Sequence, residues 1–305
     1  MQPTERNFAR RMDLTSLQLF VAVCELGSIG RAAEREFIAA SAVSKRLSDL
    51  EATLGTPLLV RHTRGVDLTP AGESLLHHAR SMLYSLEKMQ GELSEYAFGV
   101  RGHVRIHASI SAVVQFLPED LGAFCREHPQ IKIDLEEHLS SEVVRAVQEG
   151  AADLGICNLE GGVGALQTRP YRQDNLVLVV PSTHVLSARA AILFEESLDF
   201  DHVGLQANSS IYRAMHQAAA AQGRSIKLRI HVAGLDSMCR MIANGLGIGV
   251  MPQRAFELTH IPQLTAVPLQ DPWATRQFGL VARDFSTLPV TARLLLDHLS
   301  ARPEA

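Results

Sequence analysis

Apolar residues in the first quarter of the chain recur at helical spacing. Leu17, Phe20, Val21 and Cys24 share one face of a segment that Gly27 is suited to stop. Ser28 to Phe37 predicts a second short helix with Ser28 as N-cap. Val43, Leu47, Leu50 and Leu54 carry a third, running to about Thr53, and the second and third make a helix-turn-helix pair. Leu58 to Arg61 and Val66 to Leu68 then read as two short strands around a glycine-containing tip, a wing carrying Arg61, His62 and Arg64. Thr69 can cap the next helix and Pro70 suits its first turn. Within it Leu75, Ala79, Met82, Leu86, Met89, Leu93 and Tyr96 alternate by four and three residues, an a/d seam over about three heptads. That seam predicts a coiled coil between two copies; packing on its own domain is the alternative. Gly99 and Gly102 end it.

From His103 the period changes. VRIHASI, IKIDLEEH, ADLGIC, NLVLVVP, HVGLQ, LRIHVAG, GIGVMP, LTAVPL and RQFGLVAR read as strands. Helices are predicted between them, among them Ser111 to His128, Ser209 to Gln222 and a last one from about Leu288. The alternation predicts parallel sheet with crossovers, arranged as two similar halves with a cleft between them. The fold class is therefore multidomain α/β. Residues 1–70 form a winged helix-turn-helix (1–12 a loose tail), 71–98 a linker helix and 99–305 a two-lobed domain. Lobe 1 is expected at about 103–170 and 267–301, and lobe 2 at about 171–266.

Charge narrows the picture. A net charge of −4 and a pI of about 6.4 exclude a globally basic, histone-like protein but not a local cationic site. Ser41, Ser44, Lys45 and Ser48 fall on one helical face, free of carboxylate until Asp49. A helix that enters the major groove needs such short side chains so that its backbone can approach. The hydroxyls suit phosphates or base edges, and Lys45 and Arg46 suit phosphates or guanine. Arg61 and Arg64 on the wing would reach the backbone or minor groove. Residues 1–70 hold nine Lys and Arg against eight Asp and Glu, so arrangement carries this reading, not the sum. A small-residue helix packed on a partner is the alternative.

The stretch LQLFVAVCELGSIGRAAEREFIAASAVSKRLSDLEATLGTPLLVRHTRGVDLTPAG resembles the winged helix-turn-helix of LysR-type transcriptional regulators. The carriers are Phe20, Gly27-Ser28, Ala32-Ala33, Ser41 to Ser44, Leu50-Glu51, Leu54-Gly55, Pro57-Leu58, Arg61 and Leu68 to Gly72. The resemblance implies a dimerising linker helix and an effector domain similar to type 2 periplasmic binding proteins. It implies a near-palindromic double-stranded operator, a homodimer or homotetramer, and a small effector between the lobes; RNA polymerase as a partner stays open. It assigns DNA contacts to Ser28, Arg31, Ser41, Ser44, Lys45, Arg46, Arg61, Arg64 and Thr69, and dimerisation to Leu75, Ala79, Met82, Leu86, Met89 and Leu93. Two departures stand out. Ala39 and Ala40 replace a capping hydroxyl and a base-reading residue, and Ile29-Gly30 replaces an aromatic and a hydroxyl residue, beside which Arg31 compensates.

In the C-terminal domain the resemblance implies that the turn after the first strand, with Ser109 and Ser111, lines the cleft. Asn158 ends a strand, and Asn208, Ser209 and Ser210 stand at another helix start. Together they would clamp a carboxylate or inorganic oxyanion; simple N-capping is the alternative for each serine. Four dispersed cysteines argue for reduced thiols in a cytoplasmic protein. No signal peptide and no long apolar run is found, so no membrane association is expected. Thirteen histidines form no cluster of metal-ligand spacing, and no cofactor, metal or catalytic constellation is expected. A transport-type binding protein and an α/β enzyme are the rival readings.

Overall fold

The computed structural model describes residues 12–62, 65–98, 102–259 and 261–301. The chain divides into two compact units, one of residues 1–97 with 149–151 and the other of residues 98–148 and 152–305.

In the first unit the predicted helices are α1 (Leu14–Leu26), α2 (Ile29–Arg35) and α3 (Ala40–Leu54). Asp13 caps α1 by accepting from the Thr15 and Ser16 amides, and Gly27 closes it in the left-handed region at φ 61°. Leu17, Phe20, Ala32, Val43, Leu47 and Leu50 meet in one apolar core. The wing strands β1 (Leu59–His62) and β2 (Gly65–Leu68) pair antiparallel, from Leu59 opposite Leu68 to His62 opposite Gly65. Two contacts fix where the wing sits. The Glu51 carboxylate of α3 accepts from the Leu58 and Leu59 amides at 2.8 and 3.2 Å. Gly65, at φ 145°, lies so near Gly27 that a Cβ would stand 2.3 Å from the Gly27 carbonyl oxygen. Arg64 lies outside the described residues.

The linker helix α4 spans Pro70–Phe98. Its seam divides. Ala79 is fully buried in the winged-helix core beside Leu76, and Leu75 packs on the same core. Ala79 is thus a core residue of its own domain, a correction to its assignment as a dimer contact. Heptad spacing alone does not tell an intramolecular neighbour from a second copy. Farther along, Met82, Met89 and Leu93 are 45, 51 and 62% exposed.

The second unit contains β3 (Gly102–Ser109), α5 (Ile110–Gln115), α6 (Leu117–Glu127), β4 (Ile131–His138), α7 (Ser140–Glu149), β5 (Leu154–Asn158) and β6 (Gln167–Pro181). There follow β7 (Asp201–Leu205), α8 (Ser210–Ala221), β8 (Lys227–Val232), α9 (Leu235–Ala243), β9 (Gly249–Pro252), α10 (Gln253–Thr259), β10 (Leu264–Pro268), β11 (Thr275–Ala282) and α11 (Val290–Ser300). The helix expected from Ser111 to His128 is two, broken at Phe116. Pro118 accounts for the break: it offers no amide and its ring would strike the carbonyl four residues back.

The sheet is mixed, not parallel. β3 pairs parallel with β4 and β5, whereas β11 runs antiparallel to β5 and β6, and β9 and β10 run antiparallel to β6. The antiparallel pairs arise because the chain leaves the first lobe along β6 and returns along β11. β6 is unbroken across the division expected at 170/171. Its residues Gln167–Asn175 pair with β11, and Leu176–Pro181 pair with β9 and β10. One core gathers Val104, Ile106, Phe124, Ile156, Phe278 and Leu295; the other gathers Leu178, Val203, Met238, Val250 and Val267. Val267 and Ala274 thus pack in the second core, past the expected boundary at 267.

Candidate functional site

The outward face of α3 is built as its sequence period dictates. Ser41, Lys45 and Ser48 are exposed and Ser44 half-buried, while Val43, Leu47 and Leu50 fill the core beneath. Ala39 occupies the N-cap with extended dihedrals and no side-chain hydrogen bond, so the amides of the first turn lack that partner. Arg61 of the wing turns back onto this face, donating to Ser44 Oγ at 2.8 Å and to Ser48 Oγ at 3.3 Å. Wing and helix therefore present one surface, with the guanidinium laid across two hydroxyls. Lys45 has no carboxylate partner among the described residues.

The other assigned residues are placed differently. Arg46 sits on the flank of α3 and donates to Asp13 at 2.7 Å. That contact and the Ser16 hydroxyl and amide hold the Asp13 carboxyl below the usual carboxylate range, the Ser16 hydroxyl most of all. Arg31 donates to the Leu26 carbonyl at the end of α1. Ser28 Oγ accepts from the Arg31 amide at 3.4 Å, a capping role. Thr69 Oγ1 donates to the Pro57 carbonyl at 2.8 Å and accepts from the Gly72 amide at 3.0 Å, which secures the start of α4. The turn before α3 carries a residue that the periodicity did not single out. Phe37 is 94% exposed at φ 56°, an aromatic ring held out in solvent by a backbone conformation such residues seldom adopt. Two consecutive apolar residues, Phe37-Ile38, next to the cationic face were its only mark in the sequence.

Between the two lobes lies a buried polar cluster. Arg276 of β11 is 1% exposed and pairs with Asp174 of β6, Nε donating to Oδ1 at 2.8 Å. Its Nη1 donates to Ser210 Oγ and its Nη2 to Ser111 Oγ, each at 3.3 Å. Ser111 lies in α5 and Ser210 opens α8, so one guanidinium joins a residue of each lobe. Gln115 donates through Nε2 to Asp174 Oδ2 at 2.8 Å. Two buried polar atoms here have no hydrogen-bond partner: Ser109 Oγ and Gln115 Oε1. Both face the same buried polar region as Arg276 and Asp174 or lie on the turn beside it.

Of the six residues assigned to this cleft, Ser111 and Ser210 are brought together and Ser109 is buried nearby on the same turn. Ser209 caps α8, accepting from the Tyr212 amide at 3.1 Å. Asn208 supplies the left-handed turn before it at φ 73°. Asn158 accepts from the Glu160 amide at 2.7 Å, so its side-chain carbonyl closes a local turn. Arg276, Asp174 and Gln115 were not found from the sequence, because residues some sixty to a hundred and sixty apart in the chain meet only through the strand register.

The cysteines are Cys157 and Cys239, both buried, Cys24, half-buried, and Cys125, exposed. Burial pushes the Cys24 and Cys157 thiols up to about 12, which holds them as inert thiols. Histidines without ligand spacing along the chain do meet across the sheet: β3 and β4 bring His107, Glu136 and His138 together, with one donor atom from each within 4.8 Å of the others. No helix of the described residues is long and apolar enough to cross a membrane.

Comparison with known proteins agrees with this architecture. Residues 14–73 match the model of the bacterial regulatory helix-turn-helix protein, lysR family, and residues 98–303 match the LysR substrate binding domain. The HTH-type transcriptional regulator YbhD of Escherichia coli K12 is 25% identical over 92% of this chain and 88% of its own. Full-length OxyR C199D from Pseudomonas aeruginosa has the same fold, with a TM-score of 0.71, 24% identity and 94% of each chain covered. So does CbnR solved with its target DNA, at a TM-score of 0.67 and 18% identity, covering 95% of this chain and 99% of that one. With both family models matched in order along the chain, and with relatives that are regulators and not enzymes, this protein belongs to the LysR family of DNA-binding transcriptional regulators.

Proposed function

We propose that the protein is a homodimeric regulator that reads a near-palindromic operator and answers to a small oxyanion bound between the lobes of its C-terminal domain. Hydroxyl accounting supports the oxyanion. Ser111 and Ser210 both accept from Arg276, so each keeps its own O–H proton to donate. No acceptor for either proton exists among the described residues. Two free hydroxyl donors beside a guanidinium suit a carboxylate or inorganic oxyanion. Asp174 already neutralises Arg276, so the ligand needs to be small and able to use the hydroxyls rather than replace Asp174.

On the DNA side, Ser41, Ser44 and Lys45 carry the major-groove contact, with Arg61 bracing the hydroxyls from the wing. A fold neighbour, CbnR, was solved with its target DNA, which supports DNA as the partner of this fold. Arg46, Arg31 and Thr69 act from the flank through their local partners. Pairing of two copies runs through Met82, Leu86, Met89 and Leu93, the part of the seam not spent on the winged-helix core.

The test is selection of bound duplexes from a random library, run without and with a panel of carboxylates and inorganic oxyanions. A near-palindrome whose recovery shifts with one of these anions is the expected result. A single unpaired half-site would refute the dimer, and a palindrome indifferent to every anion, from a protein that binds none of them in titration, would refute the effector.

A further inference from the structure

We propose that His107, Glu136 and His138 form a binding site for a divalent cation of the zinc type, apart from both the DNA face and the interlobe cluster. The parallel register of β3 and β4 sets His107 beside Glu136 and Ser109 beside His138. Three alternating positions at the ends of two neighbouring strands therefore point their side chains to one sheet face. The two imidazoles stack with centroids 4.5 Å apart and planes 18° from parallel. Glu136 Oε2 lies 2.8 Å from His138 Nε2 and 3.7 Å from His107 Nε2, and one donor atom from each residue falls within 4.8 Å of the others.

The chemistry of the donors suits the metal. Two imidazoles and one carboxylate are a zinc donor set with a fourth position left to water or a ligand. An outer carboxylate is also present: Glu142 Oε2 stands 3.7 Å from His138 Nδ1 and is itself fixed by the Leu139 amide at 2.9 Å. At that distance it places negative charge beside the ring without a hydrogen bond. His107 is 8% exposed, and its Nδ1 has no hydrogen-bond partner among the described residues. A cation here would tie β3 to β4 two residues before Ser109, at the strand end that feeds α5.

The full-length protein, stripped with a chelator, would be titrated with Zn²⁺ by calorimetry and with Co²⁺ by visible absorption. The variants are Glu136→Gln and His138→Gln, both at exposed or half-exposed positions so that folding is spared. His77→Gln with His78→Gln serves as control for adventitious histidine binding. The expected result is one tight equivalent of Zn²⁺ per protomer and tetrahedral Co²⁺ bands. Glu136→Gln and His138→Gln should each weaken binding by more than about 10-fold, at least what loss of an outer partner costs, with the control unchanged. No stoichiometric binding by the unmodified protein, or binding that survives both variants, would overturn the assignment.

Discussion

Replacing Arg276 with leucine is the sharpest test of the interlobe cluster. The side chain is 1% exposed, and it holds Asp174, Ser111 and Ser210 at once. Leucine leaves the Asp174 carboxylate, 6% exposed, with Gln115 as its remaining side-chain donor. Removing one member of a buried ion pair costs about 3–5 kcal/mol, because the survivor is a desolvated and uncompensated charge. The second variant, Arg276→Leu with Asp174→Asn, removes that charge and should recover more than half of the loss. The chain offers its own probe: Trp273, the sole tryptophan, packs edge-on against Phe194 at 5.3 Å in the second lobe, three residues before Arg276. Urea unfolding of the full-length protein, followed by Trp273 fluorescence, would report on this domain. With a slope of about 3 kcal/mol/M, the midpoint of Arg276→Leu should fall by about 1–2 M. A loss below about 1 kcal/mol, or a double variant no more stable than the single, would refute the claim that pairing with Asp174 dominates the energetics of Arg276.

Further outcomes follow from the same structure. Ala39→Ser supplies the missing N-cap of α3 and should stabilise the winged helix by about 1 kcal/mol, seen as a higher midpoint in circular dichroism of the full-length protein. Arg61→Lys keeps the charge but cannot span Ser44 and Ser48 as the guanidinium fork does; operator affinity should drop in a gel-shift assay with its salt slope unchanged, whereas Lys45→Ala should lower that slope by about one unit. Met89→Glu with Leu93→Glu places charge on the exposed seam, and sedimentation should show monomers in place of dimers. His202, fully buried in the second lobe, is held neutral with its pKa pushed down to about 4 by burial. The unfolded chain takes up this proton near 6.5, so stability falls as pH drops from there towards 4, by about 3 kcal/mol in all; His202→Gln should remove that part of the acid sensitivity in urea melts at pH 7 and pH 4.

The parts of this protein that obey a short period were legible in its sequence. The two faces of α3 follow from residues three and four apart, and the wing follows from two short strands around Gly65. What escaped depends on long-range register. Nothing local marks Arg276 as buried, since an arginine in a strand is ordinarily exposed; only the pairing of β11 with β6 puts Asp174 against it. His107 and His138 lie on different strands, so ligand spacing along the chain could not reveal them. The seam of α4 was seen, but the loss of Ala79 to the winged-helix core was not, because a heptad shows that a stripe is apolar and not what covers it. The break at Phe116 was readable: Pro118 announced it. Arg61 illustrates a further limit. Its charge was noted, yet its bonds to Ser44 and Ser48 require the position of the wing, which Glu51 and Gly65 set through backbone contacts.

The path of β6 and β11 between the lobes bears on how this chain folds as it is made. The first lobe needs Phe278, Leu280, Leu295 and Leu299 for its core, and these emerge from the ribosome only after the whole second lobe. The second lobe is contiguous in sequence between Leu176 and Ala274 and can close first. The nascent first lobe must therefore wait with an exposed β5 edge until β11 returns to cover it. Its completion is paced by translation of about a hundred intervening residues, at about 5–20 residues per second, and an open strand edge for those seconds is where aggregation or chaperone capture would act.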